Sequence, residues 1–152
     1  MPNTYTQIHI HCVFAVKHRE ALIEKSFQEK LYGYISGIVQ SRGNKMLAIG
    51  GTSNHVHVFF GFRASESLSD LMKEVKRCSS QWVNQNRMSR FHFEWQEGYG
   101  AFSYSKSHVD SVIDYIKGQE EHHKKRTFRE EYLRTLKDFG VEYDERYLLE
   151  DV

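Results

Sequence analysis

The stretch Ser53-Asn54-His55-Val56-His57-Val58-Phe59-Phe60 reads as a short strand. Side chains alternate sides along a strand, so His55 and His57 project together while Val56, Val58 and Phe60 form the opposite, apolar face. Two imidazoles on one rigid strand are a candidate metal site. The same pattern also describes a half-buried strand with two polar residues in water. The motif therefore needs a third ligand and a reactive group from elsewhere in the chain.

Upstream, Lys45 to Gly50 is a strand, and Gly51 to Asn54 is the turn that makes a hairpin with the His55 strand. Before it, Leu22 to Gln40 is helical, with Phe27, Leu31, Ile35, Ile38 and Val39 at helical spacing. Gly33 and Gly37 weaken this helix locally and suggest close packing on a neighbour. Thr4 to Val16 alternates as a long strand, with Ile8, Ile10, Cys12 and Phe14 on one face and Gln7, His9, His11 and Val13 on the other. It carries a second His-x-His, His9-Ile10-His11, a direct rival to the first.

Downstream, Ser67 to Asn86 is a second helix with Ser67 or Ser69 as N-cap. Its apolar stripe is Leu68, Leu71, Met72, Val75 and Trp82. Lys73, Lys76, Arg77, Arg87 and Arg90 give the helix and its exit a basic face, either a solvated surface or a nucleic-acid contact. Phe91 to Ser105 is rich in aromatics and glycine, with a strand near Ala101 to Tyr104. Trp95 and Tyr104 suit base stacking or ordinary edge packing. Ser107 to about His123 is a third helix packed through Val109, Val112, Ile113 and Ile116. Tyr115 and Gln119 lie one turn apart on its flank, with His108, Ser111 and His122. Thr127 and Glu130 form a capping box that opens a last helix to about Lys137. Phe139-Gly140 stops it, and an acidic tail follows.

The order strand-helix-strand-strand-helix-strand predicts an α+β fold, a ferredoxin-like or RRM-like antiparallel sheet (βαββαβ) with additional C-terminal helices. In that topology the first and third strands are neighbours. Their aliphatic faces would pack on the first two helices, and their histidine faces would lie together under the third helix.

Bulk properties agree with one domain over 1–152, with a catalytic core at about 4–123 and a C-terminal helix and tail over 127–152. The 152 residues are long enough to bury a core. A net charge of +1 excludes a globally basic nucleic-acid coat and leaves room only for a local basic patch. Cys12 and Cys78 form no metal-type pair, which predicts reduced, buried thiols. With no signal peptide and no run of 18 apolar residues, the expected location is the cytoplasm, with no membrane partner.

Several segments taken together resemble the HUH single-tyrosine transposases of bacterial insertion sequences and their domesticated relatives associated with repeated palindromes. They are 10–15 (Ile-His-Cys-Val-Phe-Ala), Ala48-Ile49-Gly50-Gly51, Asn54-His55-Val56-His57-Val58, Ser79-Ser80-Gln81-Trp82-Val83-Asn84, 95–103 (Trp-Gln-Glu-Gly-Tyr-Gly-Ala-Phe-Ser), 115–125 from Tyr115 to Lys125, and Tyr143-Asp144-Glu145-Arg146-Tyr147. The family motif is His-hydrophobic-His on a strand, then a tyrosine on a later helix with a glutamine four residues on. The resemblance implies His55, His57 and Gln119 as metal ligands and Tyr115 as the nucleophile. It implies Mg²⁺ or Mn²⁺ as the cofactor. It also implies single-stranded DNA with hairpins at element ends as the partner, cleaved and rejoined through a 5′-phosphotyrosine. A homodimer that shares its active site between subunits is implied as well. His11 stands where the family often carries histidine, which suggests a supporting role.

The residues alone leave rivals: Tyr104 and Tyr99 for the nucleophile, His108 and His122 for the third ligand. Two other functions compete. One is a non-cleaving nucleic-acid module of RRM-like fold, whose binding would survive chelator and Tyr115→Phe. The other is a metal hydrolase, although barrel hydrolases with His-x-His need far more chain.

Overall fold

The structure, a computed structural model, describes residues 3–123 and 126–144 apart from the side chains of Arg19, His122 and His123. The predicted acidic tail beyond 144, Lys124-Lys125 and the His122 alternative lie outside the described residues or side chains. The elements are β1 (His9–Ala15), α1 (Lys25–Ser41), β2 (Lys45–Gly51), β3 (His55–Gly61), α2 (Leu68–Gln85), β4 (Gly100–Tyr104), α3 (Val109–Lys117), α4 (Gln119–His123) and α5 (Phe128–Asp138). The sheet is antiparallel in the order β2-β3-β1-β4, the ferredoxin-like arrangement.

One sheet face carries Cys12, Phe14, Val56, Val58 and Phe60 against Leu31 and Ile35 of α1 and Leu71, Met72 and Val75 of α2. The opposite face is covered twice. Val112 and Ile116 of α3 pack on Ala48 and Phe59, and Phe128 and Leu136 of α5 pack on Val13, Ala15 and Phe102. β3 is therefore buried on both faces, histidines included. The cover by α5 was not expected; the spacing of α3 alone accounted for that face.

The close seat of α3 depends on Gly50. A Cβ at that position would collide with the backbone carbonyl of Ile116. By contrast, nothing lies within 4 Å of a Cβ built at Gly33 or Gly37, so these helix glycines do not mark close packing.

Caps form at the expected places. Ser67 Oγ accepts from the Asp70 amide, and Thr127 Oγ1 accepts from the Glu130 amide at 3.1 Å. The first strand begins at His9 rather than Thr4. Val83 is fully buried in the core, while Trp82 packs against it partly buried and stacks on Tyr34 with ring centroids 5.0 Å apart. Trp95 is a core residue: it packs on Phe14 and Phe93 and donates to Ser79 Oγ at 2.9 Å. Cys12 is buried and Cys78 only partly so; both are free thiols. The third predicted helix is broken. α3 ends at Lys117, the Gly118 amide donates to the Asp114 carbonyl, and α4 restarts at Gln119. Glycine's low helix propensity is the local reason.

Among the described residues no helix is long and apolar enough to cross a membrane.

Candidate active site

The β1–β3 register pairs Val13 with His57 and Ala15 with His55, which sets His11, His55 and His57 on the face under α3 and α5. All three are buried, and so is Gln119, only 1% exposed. Burial of four polar side chains is costly unless each is matched, so their contacts are informative.

His55 is oriented by its own turn. Its Nδ1 lies 2.8 Å from Asn54 Oδ1 and 3.0 Å from Thr52 Oγ1. An amide oxygen only accepts, so Nδ1 carries the proton and Nε2 presents a lone pair. Nε2 faces Gln119 Oε1 at 3.2 Å. The amide of Gln119 is fixed the same way round, because its Nε2 donates to the Tyr115 carbonyl at 3.4 Å. Two lone pairs thus converge on one place. A cation set against both atoms turns that repulsion into ligation. At this separation the imidazole nitrogen and the amide oxygen could hold one divalent cation together.

His57 is oriented by β1. His11 Nε2 and His57 Nδ1 share a hydrogen bond of 2.7 Å, with the rings stacked at 5.0 Å. Burial pushes His11 down to about 4, so it is neutral at pH 7. With Nδ1 of His57 engaged, Nε2 is the nitrogen that would ligate. The donor set of two imidazoles and one amide oxygen fits a divalent cation. Among the described residues no three His, Cys, Asp or Glu side chains form a metal-holding group, and the third donor here is an amide.

Tyr115 stands beside these donors, its ring edge-on to His57 with centroids 5.8 Å apart. Its hydroxyl donates to Glu131 Oε2 at 3.2 Å. Burial, only partly offset by the Gln119 contact, pushes the phenol up to about 12. A cleft of about 550 Å³ opens beside Tyr115 between α3 and α5. Tyr104, His108, Arg126 and Arg134 also line it. On the other side Phe128 covers His55, with centroids 4.1 Å apart.

His55, His57, Gln119 and Tyr115 therefore come together in one chain. The rivals stand apart from the donor group. His9 is only half buried and tilts against Phe59. His108 Nδ1 bonds Ser105 at 2.8 Å. Tyr104 lines the cleft, and Tyr99 packs on the far face of the sheet. The basic residues of α2 also lie across the sheet from the site. Lys73 and Arg87 are exposed. Lys76 donates to the Gln96 and Gly98 carbonyls, and Arg77 pairs with Glu74.

Sequence reading did not single out Thr52, Asn54, Phe128 or Glu131 for this site. Asn54, next to His55, was within reach of inspection. Phe128 and Glu131 were hidden because nothing local tells which face α5 covers.

A buried His-x-His strand thus faces a tyrosine of α3 and a glutamine of α4 on a ferredoxin-like sheet. The chain belongs to the IS200-like transposases, whose family model matches residues 4–119. Two solved structures share the fold. One is a protein from Deinococcus radiodurans described as a transposase, at 17% identity and a TM-score of 0.62; the match covers 78% of this chain and 95% of that one. The other is a REP-associated tyrosine transposase bound to a REP hairpin, at 13% identity and a TM-score of 0.57, covering 76% and 68%. No curated protein sequence matches this chain.

Proposed function

We propose that this transposase cleaves and rejoins single-stranded DNA through a covalent bond between Tyr115 and a 5′-phosphate, with His55, His57 and Gln119 holding Mg²⁺ or Mn²⁺. The observation that carries this reading is the convergence of His55 Nε2 and Gln119 Oε1, 3.2 Å apart, on the segment that also bears Tyr115.

The bound cation would polarise the phosphodiester and neutralise charge in the transition state. The chain's own residues do the rest. Asn54 and Thr52 hold His55, and His11 holds His57, each with Nε2 inward. Tyr115 Oη attacks phosphorus and the P–O3′ bond breaks, giving a 5′-phosphotyrosine and a free 3′-OH. The bond energy is kept, so a new 3′-OH can reverse the step without ATP. Water is restricted on the His55 side by Phe128, which leaves the α3–α5 cleft as the approach for DNA.

A hairpin near the element end is the proposed recognition element, in line with the REP hairpin held by the structural neighbour. Lys73, Lys76 and Arg77 on α2 and Arg87 just after it are the proposed DNA-contacting set; of these, exposed Lys73 and Arg87 are the better placed. The purely stacking alternative of an RRM-like module is less favoured, because α3 and α5 cover the sheet face that such modules leave open.

The test is incubation with 3′-labelled single-stranded DNA carrying an end-proximal hairpin plus Mg²⁺ or Mn²⁺, read on a denaturing gel. A protein-linked band that Tyr115→Phe and chelator abolish, and Tyr104→Phe leaves, is expected. Folded protein that forms no adduct on any of a panel of hairpins overturns the proposal.

A further inference from the structure

We propose that Glu131 is a further catalytic residue, holding the hydroxyl of Tyr115 and taking its proton as the oxygen attacks phosphorus. This rests on the reading of Tyr115 as nucleophile.

The geometry is that of a general base, within hydrogen-bond reach of the proton it removes. Glu131 Oε2 accepts from Tyr115 Oη at 3.2 Å, and Glu131 as a residue is only 9% exposed. Its position is firmly set. Thr127 caps α5 one turn earlier, Thr135 Oγ1 donates to the Glu131 carbonyl at 2.9 Å, and Phe128 and Leu136 pin the helix to the sheet. The two buried imidazoles near Tyr115 are otherwise engaged. His11 Nε2 and His57 Nδ1 are spent on each other, and His57 Nε2 would hold the metal under the proposed function. A neutral phenol is a weak nucleophile, and an acceptor already bonded to its hydroxyl removes the proton as the oxygen attacks. Glu131 also lies beyond the residues matched by the family model, 4–119, so it belongs to the part of this chain outside the shared motif.

In the forward step the Oη–P bond forms as P–O3′ breaks. The electron pair leaves on O3′, which takes a proton from water, and the Oη proton passes to Glu131. When a 3′-OH attacks the phosphotyrosine, its proton passes to water as O3′–P forms, and Glu131 returns its proton to the departing Oη as Oη–P breaks.

Glu131→Gln keeps an acceptor of the same shape but cannot take a proton. Its single-turnover rate of adduct formation should fall on the order of 100-fold. Glu130→Gln, an exposed neighbour, should leave it unchanged, and Mn²⁺ affinity should be the same in both. With 3-fluorotyrosine at position 115, whose phenol ionises more readily, the loss caused by Glu131→Gln should shrink. The fluorine resonance of that residue, read without DNA or metal, should move in Glu131→Gln and not in Glu130→Gln. Where Glu131→Gln does not fold, Glu131→Asp is read in the same two ways. An unmoved resonance, or an adduct formed as fast or faster in Glu131→Gln, overturns the assignment alone. No adduct from the unaltered protein overturns the proposed function and this base with it.

Discussion

His11 Nε2 and His57 Nδ1 lie 2.7 Å apart inside the protein, so the two rings share one proton between them. If His57 ligates through Nε2, its Nδ1 carries that proton and His11 must accept it. His11 then holds its own proton on Nδ1, which has no hydrogen-bond partner among the described residues. The second histidine pair of the sequence is thereby divided: His11 bonds His57, and His9 tilts against Phe59. Outer partners of this kind are worth roughly 10–100-fold in metal affinity. His11→Ala should weaken Mn²⁺ binding by that factor in calorimetry, and His9→Ala should not. Equal affinities in the two variants would count against the assignment.

All four proposed site residues stand in one chain, with Gln119 Oε1 3.2 Å from Nε2 of its own His55. Mixing His55→Ala with Tyr115→Phe protein should therefore recover no adduct. Recovery would show that two subunits exchange the tyrosine segment, as the resemblance to the family implies.

Gly50 and Gly33 should respond to alanine in opposite senses. At Gly50 the added methyl meets backbone, which cannot swing aside. Overpacking of this kind costs about 1–3 kcal/mol, and here it also pushes α3 off β2. Gly33 sits exposed inside α1 with open space around it, so Gly33→Ala should add about 0.5–1 kcal/mol. Urea unfolding of both variants reads the contrast.

Lys76 is committed to the fold. Its ammonium reaches the Gln96 carbonyl at 2.6 Å and that of Gly98 at 2.8 Å, tying the loop before β4 to α2. Lys76→Met should cost about 1.5–3 kcal/mol, the scale of a charged hydrogen bond. It should also speed proteolysis at 96–100. If Lys76→Met instead leaves stability intact and lowers DNA affinity, its role is at the DNA surface.

Stability in acid should depend on Glu66. Arg42 grips its carboxylate with two bonds of 2.8 Å and holds it down to about 2. A carboxyl lowered in the folded state favours folding above its unfolded value, near 4.5, and loses that contribution as pH falls toward 2. Denaturation midpoints should therefore decline between pH 4.5 and 2, and less steeply in Glu66→Gln. Parallel declines in the two proteins would remove Glu66 from the account.

Much of the fold was legible because the signals were local. Alternation at 55–60 separated the two faces of β3, helical spacing marked α1 and α2, and the Ser67 and Thr127 caps marked helix starts. Strand order then followed from topology. Gly118 was visible as a residue, but its effect depends on what Gln119 gains by turning inward, which is a tertiary matter. The same holds for Trp95, whose ring fits the core of this fold as well as it would fit a base. α5 was legible as a helix but not as a cover, since its apolar positions do not name their partner.

Residue 119 ends the stretch common to the family, yet the tyrosine's hydroxyl rests on residue 131 and His55 lies under residue 128. Chains that share the histidine pair, the tyrosine and the glutamine can therefore differ in what surrounds the nucleophile. A search for the motif alone would pass over both contacts. In this chain the surroundings of the tyrosine's hydroxyl are set by the helix after the motif.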